Sequence, residues 1–443
     1  MSFITDKQTL DDLNILGKFK AHSMFSLFNQ TQTTGGERLL DTMFRHPLTG
    51  VEEINQRSGL FGYFQDKALV FPFSKSLFQV VENYLGLAAI GNQLITAAGV
   101  FRKKLLKTAV RDEQYDHMHN GLVATIEMLN ILADFFKQLE KGAPSPYLAQ
   151  FDTIKKIMAD HRLQWLPEVR NVQQLSAMQV ARYHHLLLHV FRKEMDVILQ
   201  GIYQLDVCIA VSDVARARGF AYAKALPQEK NLFHTVALSH PGLEKAVANP
   251  LTFNKDQNLL FLTGANMAGK STFMKAFGIA VYMAHMGFPV AAKEMSFSVR
   301  EGLYTSINVP DDLNMGYSHF YAEVLRVKHV AEEVARSRDL VVIFDELFKG
   351  TNVKDAYDAT LSVTEAFSEY RNCFFIISTH IIEVGDALKH QGEHIRFGYL
   401  PTVMEGTVPR YTYQMKEGIT NDRQGMMIIE NEGIVDMLQH TAV

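Results

Sequence analysis

Leu259-Leu260-Phe261-Leu262-Thr263-Gly264-Ala265-Asn266-Met267-Ala268-Gly269-Lys270-Ser271-Thr272 is the stretch whose reading decides the fold. An apolar run passes into G-x-x-x-x-G-K-S, and a helix-compatible segment follows. Strand, glycine loop and helix in that order are what a phosphate-binding P-loop requires. The glycines let backbone N–H groups turn inward around an anion, and the helix adds the positive end of its dipole. Read so, Gly264, Ala265, Asn266, Met267, Ala268, Gly269, Lys270, Ser271 and Thr272 cradle a nucleotide. Lys270 reaches its β- and γ-phosphates, and Ser271 holds Mg²⁺. A plain glycine turn is the competing reading, and it needs neither flanking element.

Two further apolar runs end in polar residues. Leu340-Val341-Val342-Ile343-Phe344 leads to Asp345-Glu346, and Cys373-Phe374-Phe375-Ile376-Ile377-Ser378 leads to Thr379-His380. Continuously apolar strands belong to a parallel sheet covered on both faces, and such sheets bind ligands at the carboxyl ends of their strands. Asp345 then joins the Mg²⁺ shell, Glu346 orients and polarises the attacking water, and His380 senses the γ-phosphate. Ile395–Leu400 and Tyr411–Met415 read as edge strands. From about Phe233 to Gly418 short apolar runs alternate with amphipathic segments, the pattern of an α/β domain.

Upstream, residues 51 to 217 read as almost wholly helical. Expected helices cover 36–44, 52–64, 73–85, 121–139 and 147–159, then one or two long ones over 172–217. Gly142, Pro144 and Pro146 interrupt them. Thr33-Thr34-Gly35-Gly36 reads as an architectural turn opening a helix. The basic cluster Arg102, Lys103, Lys104, Lys107 and Arg111 reads as a solvated face before it reads as a phosphate contact. His184, His185 and His189 read as packing or surface residues, with metal binding second.

Length and composition bound the rest. The 443 residues suggest two to three domains. Hydrophobic content of 47% with 21% charged residues fits a folded chain. A net charge of −4 gives no overall drive toward nucleic acid, so such contact needs local basic patches. Cys208 and Cys373 read as buried thiols in a reducing compartment. Neither a leader pattern nor an apolar run of membrane-spanning length is expected, and the location expected is cytoplasmic.

The glycine loop, with its Asn266-Met267 pair, resembles that of the MutS family of mismatch-repair ATPases. Asp311-Asp312-Leu313-Asn314-Met315-Gly316-Tyr317-Ser318-His319-Phe320-Tyr321-Ala322-Glu323 is similar to that family's signature segment. Asp345-Glu346-Leu347-Phe348-Lys349-Gly350-Thr351-Asn352 resembles its Walker B segment, and Thr379-His380 its switch histidine. Thr31 to Leu40 with His46-Pro47-Leu48 resembles the start of its helical core. The resemblance runs from about residue 25.

It implies an α/β P-loop NTPase domain, ABC-ATPase-like, over 229–443, preceded by an all-α core and lever domain over 1–228 with the clamp absent or reduced. It implies ATP and Mg²⁺ as cofactors, and a homodimer with composite ATP sites in which Ser318 meets the γ-phosphate bound by the partner's Lys270. The activity implied is Mg²⁺-dependent ATP hydrolysis in a DNA-binding protein of mismatch repair or recombination, with ATP driving lever opening and closing. Val247 is the expected adenine contact, since Ala246 stands where the family places an aromatic. Lys349 and Asn352 replace its usual Arg and Ser. No F-x-E wedge is read near Phe3, so no mismatch-recognition domain is expected. A nucleotide-gated module acting on a protein partner, without mismatch recognition or a membrane, is the alternative.

Overall fold

The computed structural model describes residues 2–17, 22–87, 113–140, 145–170, 174–307, 319–336, 338–405, 408–420 and 437. Ser318 with most of the signature segment, the basic cluster at 102–111, the break at Gly142 and Pro144 and the C-terminal 433–436 and 438 lie outside the described residues. By contacts the chain forms two compact units. One is built from 1–28, 44–58 and 215–443, the other from 29–43 and 59–214. The glycine loop therefore shares its unit with the N-terminal residues, and the contact boundary on the C-terminal side falls at Ala215.

The first unit is organised by a six-stranded sheet: β1 Leu259–Gly264, β2 Gly302–Ser306, β3 Leu340–Asp345, β4 Phe374–Ser378, β5 Ile395–Leu400 and β6 Lys416–Glu417. Their spatial order is β6-β5-β1-β4-β3-β2. All pairs are parallel except the antiparallel β6–β5 edge. Every residue of β1, β2 and β4 is buried, as is β3 up to Asp345. That is why these strands read as unbroken apolar runs. Register pairs Ser378 with Asp345 and Leu400 with Gly264, so the carboxyl ends of β1, β3 and β4 lie side by side.

The helix Lys270–His285 leaves β1 through the glycine loop and is buried along nearly its whole length. The N-terminal segment also belongs to this sheet. Ile4 bridges to Gly302 in parallel, extending the β2 edge. The buried Asp12 carboxylate accepts from the Thr305 hydroxyl at 2.7 Å and the Ile307 N–H at 2.9 Å. Arg326 pairs with Asp6. Four further strands, Lys224–Leu226, Glu294–Ser298, Phe233–Leu238 and Asn249–Phe253, form a second sheet in that order.

Tyr411–Met415 is not the expected continuous strand. Val408–Tyr411 pairs with Thr402–Glu405, and the chain then turns at Tyr413, φ +56°, before β6. The buried Asn249 side chain holds that turn, donating to the Tyr413 carbonyl at 2.9 Å and accepting from the Met415 N–H at 2.7 Å.

The second unit is helical. It includes Lys75–Leu87, Glu113–Glu140, Asp152–Met158, Ala177–His185 and most of Arg192–Arg218, with the Asn29–Met43 segment. The last helix is long and apolar enough to cross a membrane, with an 18-residue window of mean hydropathy 1.4, contrary to the expectation of no such run. Burial of 67% of that window inside the protein assigns the apolarity to a core. The buried Asp206 on this helix accepts from the N–H groups of Gln32 and Thr33 and from the Thr33 hydroxyl at 2.7–3.0 Å. A β-carbon at Gly36 would sit 2.5 Å from Asp206 Oδ2, and one at Gly35 inside the Tyr203 ring. The glycine pair is there because nothing larger fits.

Candidate functional site

The site begins where β1 ends. Gly264 and Gly269 adopt φ +146° and +101°, and Met267 sits at +65°, so the loop turns through the region that glycine enters without penalty. Gly269 is also the N-cap of Lys270–His285 and offers no side chain to cap it. The first N–H groups of a helix have no intrahelical acceptor, so this start, which has no side-chain cap, offers donors with the dipole's positive end behind them.

Lys270 folds back over the loop. Its Nζ donates to the carbonyls of Gly264 at 2.9 Å and Ala265 at 3.1 Å. Burial lowers its pKa, while Asp345 and Glu346 pull the other way. Ser271 Oγ donates to Asp345 Oδ2 at 2.6 Å, tying the helix start to the end of β3. The other carboxylate oxygen, Asp345 Oδ1, is buried without a hydrogen bond. Burial, with Glu346 beside it, raises the Asp345 pKa, partly offset by the Ser271 hydrogen bond and Lys270. A hydroxyl and a carboxylate oxygen without a donor are hard ligands of the kind Mg²⁺ takes.

Glu346 follows in the left-handed region at φ +57°, and Phe348 at +60°. Such conformations cost on the order of 1–3 kcal/mol in non-glycine residues and persist where surrounding structure holds them. The Glu346 N–H donates to the Ser378 carbonyl at 2.9 Å, which supplies that hold. Its side chain then meets His380, whose Nε2 lies 2.5 Å from Glu346 Oε1. This hydrogen bond keeps the Glu346 pKa below the usual carboxylate value against the effect of burial, and Lys349 and Lys270 add to the lowering. Lys349 thus contributes the positive charge of the Arg it replaces. Asn352 caps the helix Val353–Ser368, accepting from the Asp355 N–H at 3.0 Å, a task Asn and Ser perform about equally well.

These groups open onto a cleft of about 430 Å³. Ala265, Asn266, Met267, Gly269, Lys270, Ser271, Thr272 and Glu346 line it. Asp345 and His380 stand behind that wall through Ser271 and Glu346, and Gly264 and Ala268 shape the loop from within. Val247, His240, Leu243 and Tyr413 line the cleft as well, with Tyr413 close against Gly269. His240 and Tyr413 were not foreseen. His240 lay in a segment without a motif, and Tyr413 was hidden in a stretch read as strand. Burial, then Lys275, lowers the His240 pKa, so its ring is neutral at pH 7. Among the described residues no group of three His, Cys, Asp or Glu could hold a metal, and His184 instead bonds the Tyr84 hydroxyl at 2.8 Å.

Comparison with known families matches MutS domain III over residues 8–217 and MutS domain V over residues 260–442. The chain belongs to the MutS family. Domain V is the ATPase domain of MutS proteins. Its match takes in the glycine loop, Asp345, Glu346 and His380. The domain III match covers the helical unit and starts within the helix Lys7–Asp12 of the first unit. A MutS-like chain with the family's ATPase domain is therefore what carries this cleft.

Proposed function

We propose that the cleft binds ATP with Mg²⁺ and hydrolyses it, in a P-loop NTPase domain of ABC-ATPase type. The observation that carries this reading is the convergence of Lys270, Ser271, Asp345, Glu346 and His380 at adjoining strand ends beside a cleft of about 430 Å³. That volume lies within the ordinary range for small-ligand sites. Loop N–H groups and Lys270 receive the phosphates, and the base lies among His240, Leu243, Val247 and Tyr413. Ser271 and Asp345 fit Mg²⁺ by donor type, and bound there it would neutralise phosphate charge.

Glu346, oriented by His380, holds the attacking water and draws on its proton as the water oxygen bonds the γ-phosphorus. The bond from γ-phosphorus to the bridging oxygen breaks, and ADP leaves with the electron pair. MutS-family proteins form dimers and bind DNA. By that membership the chain acts as a homodimer with composite ATP sites, to which Ser318 contributes, located in the cytoplasm. ATP there drives opening and closing of levers in a repair or recombination protein.

Glu346→Gln tests the reading. Retained binding of a fluorescent ATP analogue with phosphate release reduced at least about 100-fold is expected, the lower end of general-base catalysis. Hydrolysis at the wild-type rate would remove Glu346 from the mechanism.

A further inference from the structure

Beyond the glycine loop and Glu346, the polar side chains lining the nucleotide cleft are those of Ser239, His240, Lys245, Asn249 and Tyr413. Leu243, Val247 and the Tyr413 ring lie among them and accept any planar base, since every base has a π-face. Choice between purines therefore falls to hydrogen bonding. Adenine and guanine differ at position 6, where adenine carries an amine that donates and guanine a carbonyl that accepts.

His240 has a fixed role in that choice. The Gly242 N–H donates to His240 Nδ1 at 3.1 Å. A backbone N–H can only donate, so Nδ1 is the acceptor and the proton of the neutral ring sits on Nε2. Burial, then Lys275, keeps the ring neutral at pH 7. The bond from Gly242 is the one hydrogen bond of this side chain among the described residues, so Nε2–H is left for a ligand or water.

The other lining groups do not oppose that donor. Lys245 is donor only. The Asn249 amide, able to serve either purine, is taken by the Tyr413 carbonyl at 2.9 Å and the Met415 N–H at 2.7 Å. The Ser239 and Tyr413 hydroxyls rotate to donate or accept as required. Glu346 is the one acid in the lining among the described residues, and His380 holds it. A base with a carbonyl at position 6 thus meets a donor, whereas an amine there sets donor against donor and leaves both unpaired.

We propose that this site takes guanine nucleotides at least as readily as adenine nucleotides, with the His240 Nε2–H donating to the 6-carbonyl. The inference rests on the reading of the cleft as a nucleotide-hydrolysing site and names the base it accepts. GTP is then a second substrate: the water oxygen bonds its γ-phosphorus as it does that of ATP, and GDP leaves with the electron pair.

Displacement of N-methylanthraniloyl-ADP from the wild-type chain, with Mg²⁺ present, by ADP, GDP, inosine diphosphate, CDP and pyrophosphate tests this. GDP and inosine diphosphate should match ADP or exceed it by up to about ten-fold, the range that one neutral hydrogen bond supplies. Inosine diphosphate lacks the 2-amine of guanine, so its agreement with GDP assigns the contact to the 6-carbonyl. His240→Phe keeps a ring and removes the donor. It should weaken GDP by about three- to ten-fold and leave ADP within about two-fold. Phosphate release by the wild-type chain should show a kcat/KM for GTP no lower than for ATP.

ADP binding tighter than GDP by more than about two-fold, the least that one hydrogen bond is worth, overturns the proposal without recourse to a variant. Tight GDP with weak inosine diphosphate, or equal losses of GDP and ADP in His240→Phe, overturns the role of His240. Pyrophosphate or CDP as effective as GDP means that the purine is not read, and leaves the phosphate site standing. Failure of the labelled ADP to bind at all overturns the nucleotide reading itself.

Discussion

Glu346 shows how much chemistry one backbone torsion can carry. At φ +57° its side chain leaves the line of β3 and meets His380, which follows the neighbouring β4. The His380 hydrogen bond is the largest influence on the lowered Glu346 pKa. His380→Ala should therefore raise that pKa, and the acid limb of the hydrolysis rate should move to higher pH, because ionised Glu346 would be lost earlier as pH falls. The profile of kcat against pH, measured beside wild type, checks this; an unmoved limb would detach His380 from Glu346. The pair itself was legible, since each residue ends an apolar run. Their contact was not, because no local pattern announces a non-glycine residue in the left-handed region. The base end was less legible still. Tyr413 faces the cleft only because Asn249, 164 positions earlier, binds its carbonyl.

At the level of elements, period and punctuation gave β1, β3, β4 and β5 and most helices nearly as they stand. The strands Lys224–Leu226, Glu294–Ser298 and Gly302–Ser306 were missed, being short and mixing polar with apolar residues, so that pairing rather than pattern makes them strands. Thr34-Gly35-Gly36, read as part of a turn, instead opens the helix Thr34–Arg45, and the reason for its glycines lies about 170 residues away in Tyr203 and Asp206. Asp206→Ala leaves two backbone N–H groups and a buried hydroxyl without their acceptor and should destabilise by about 2–4 kcal/mol. Gly36→Ala should cost a similar amount by forcing the carboxylate away. Urea midpoints read by circular dichroism test both, and values near wild type would mean the helix start relaxes freely.

For the molecule as a whole, the N-terminal residues belong to the unit of the ATPase domain, an assignment that could not be read from the order of elements along the chain. His285 lies deep in that unit. Its Nδ1 bonds the Leu48 carbonyl at 2.8 Å, its Nε2 accepts the Arg300 N–H, and its ring lies 4.5 Å from Phe3. Burial lowers its pKa to about 4. The unfolded chain then binds a proton that the folded chain refuses between about pH 6.5 and 4. The contribution of this group is fully present above pH 6.5 and declines as pH falls, to a total of roughly 3 kcal/mol. Unfolding free energies at pH 7.5 and 4.5 should show that loss, and His285→Gln, though less stable overall, should show less of it.

The Ile4–Gly302 bridge has a consequence in time. Ile4 N–H donates to the Glu301 carbonyl and its own carbonyl accepts from Leu303, so Ile4 has its partners nearly 300 residues downstream. At roughly 5–20 residues per second of synthesis, that is a wait of about 15–60 s. Phe3, buried in the finished protein, likewise waits for Tyr282 and His285, the rings it packs against. The pairing of Ile4 with Gly302 thus closes only after the whole segment between them has been made.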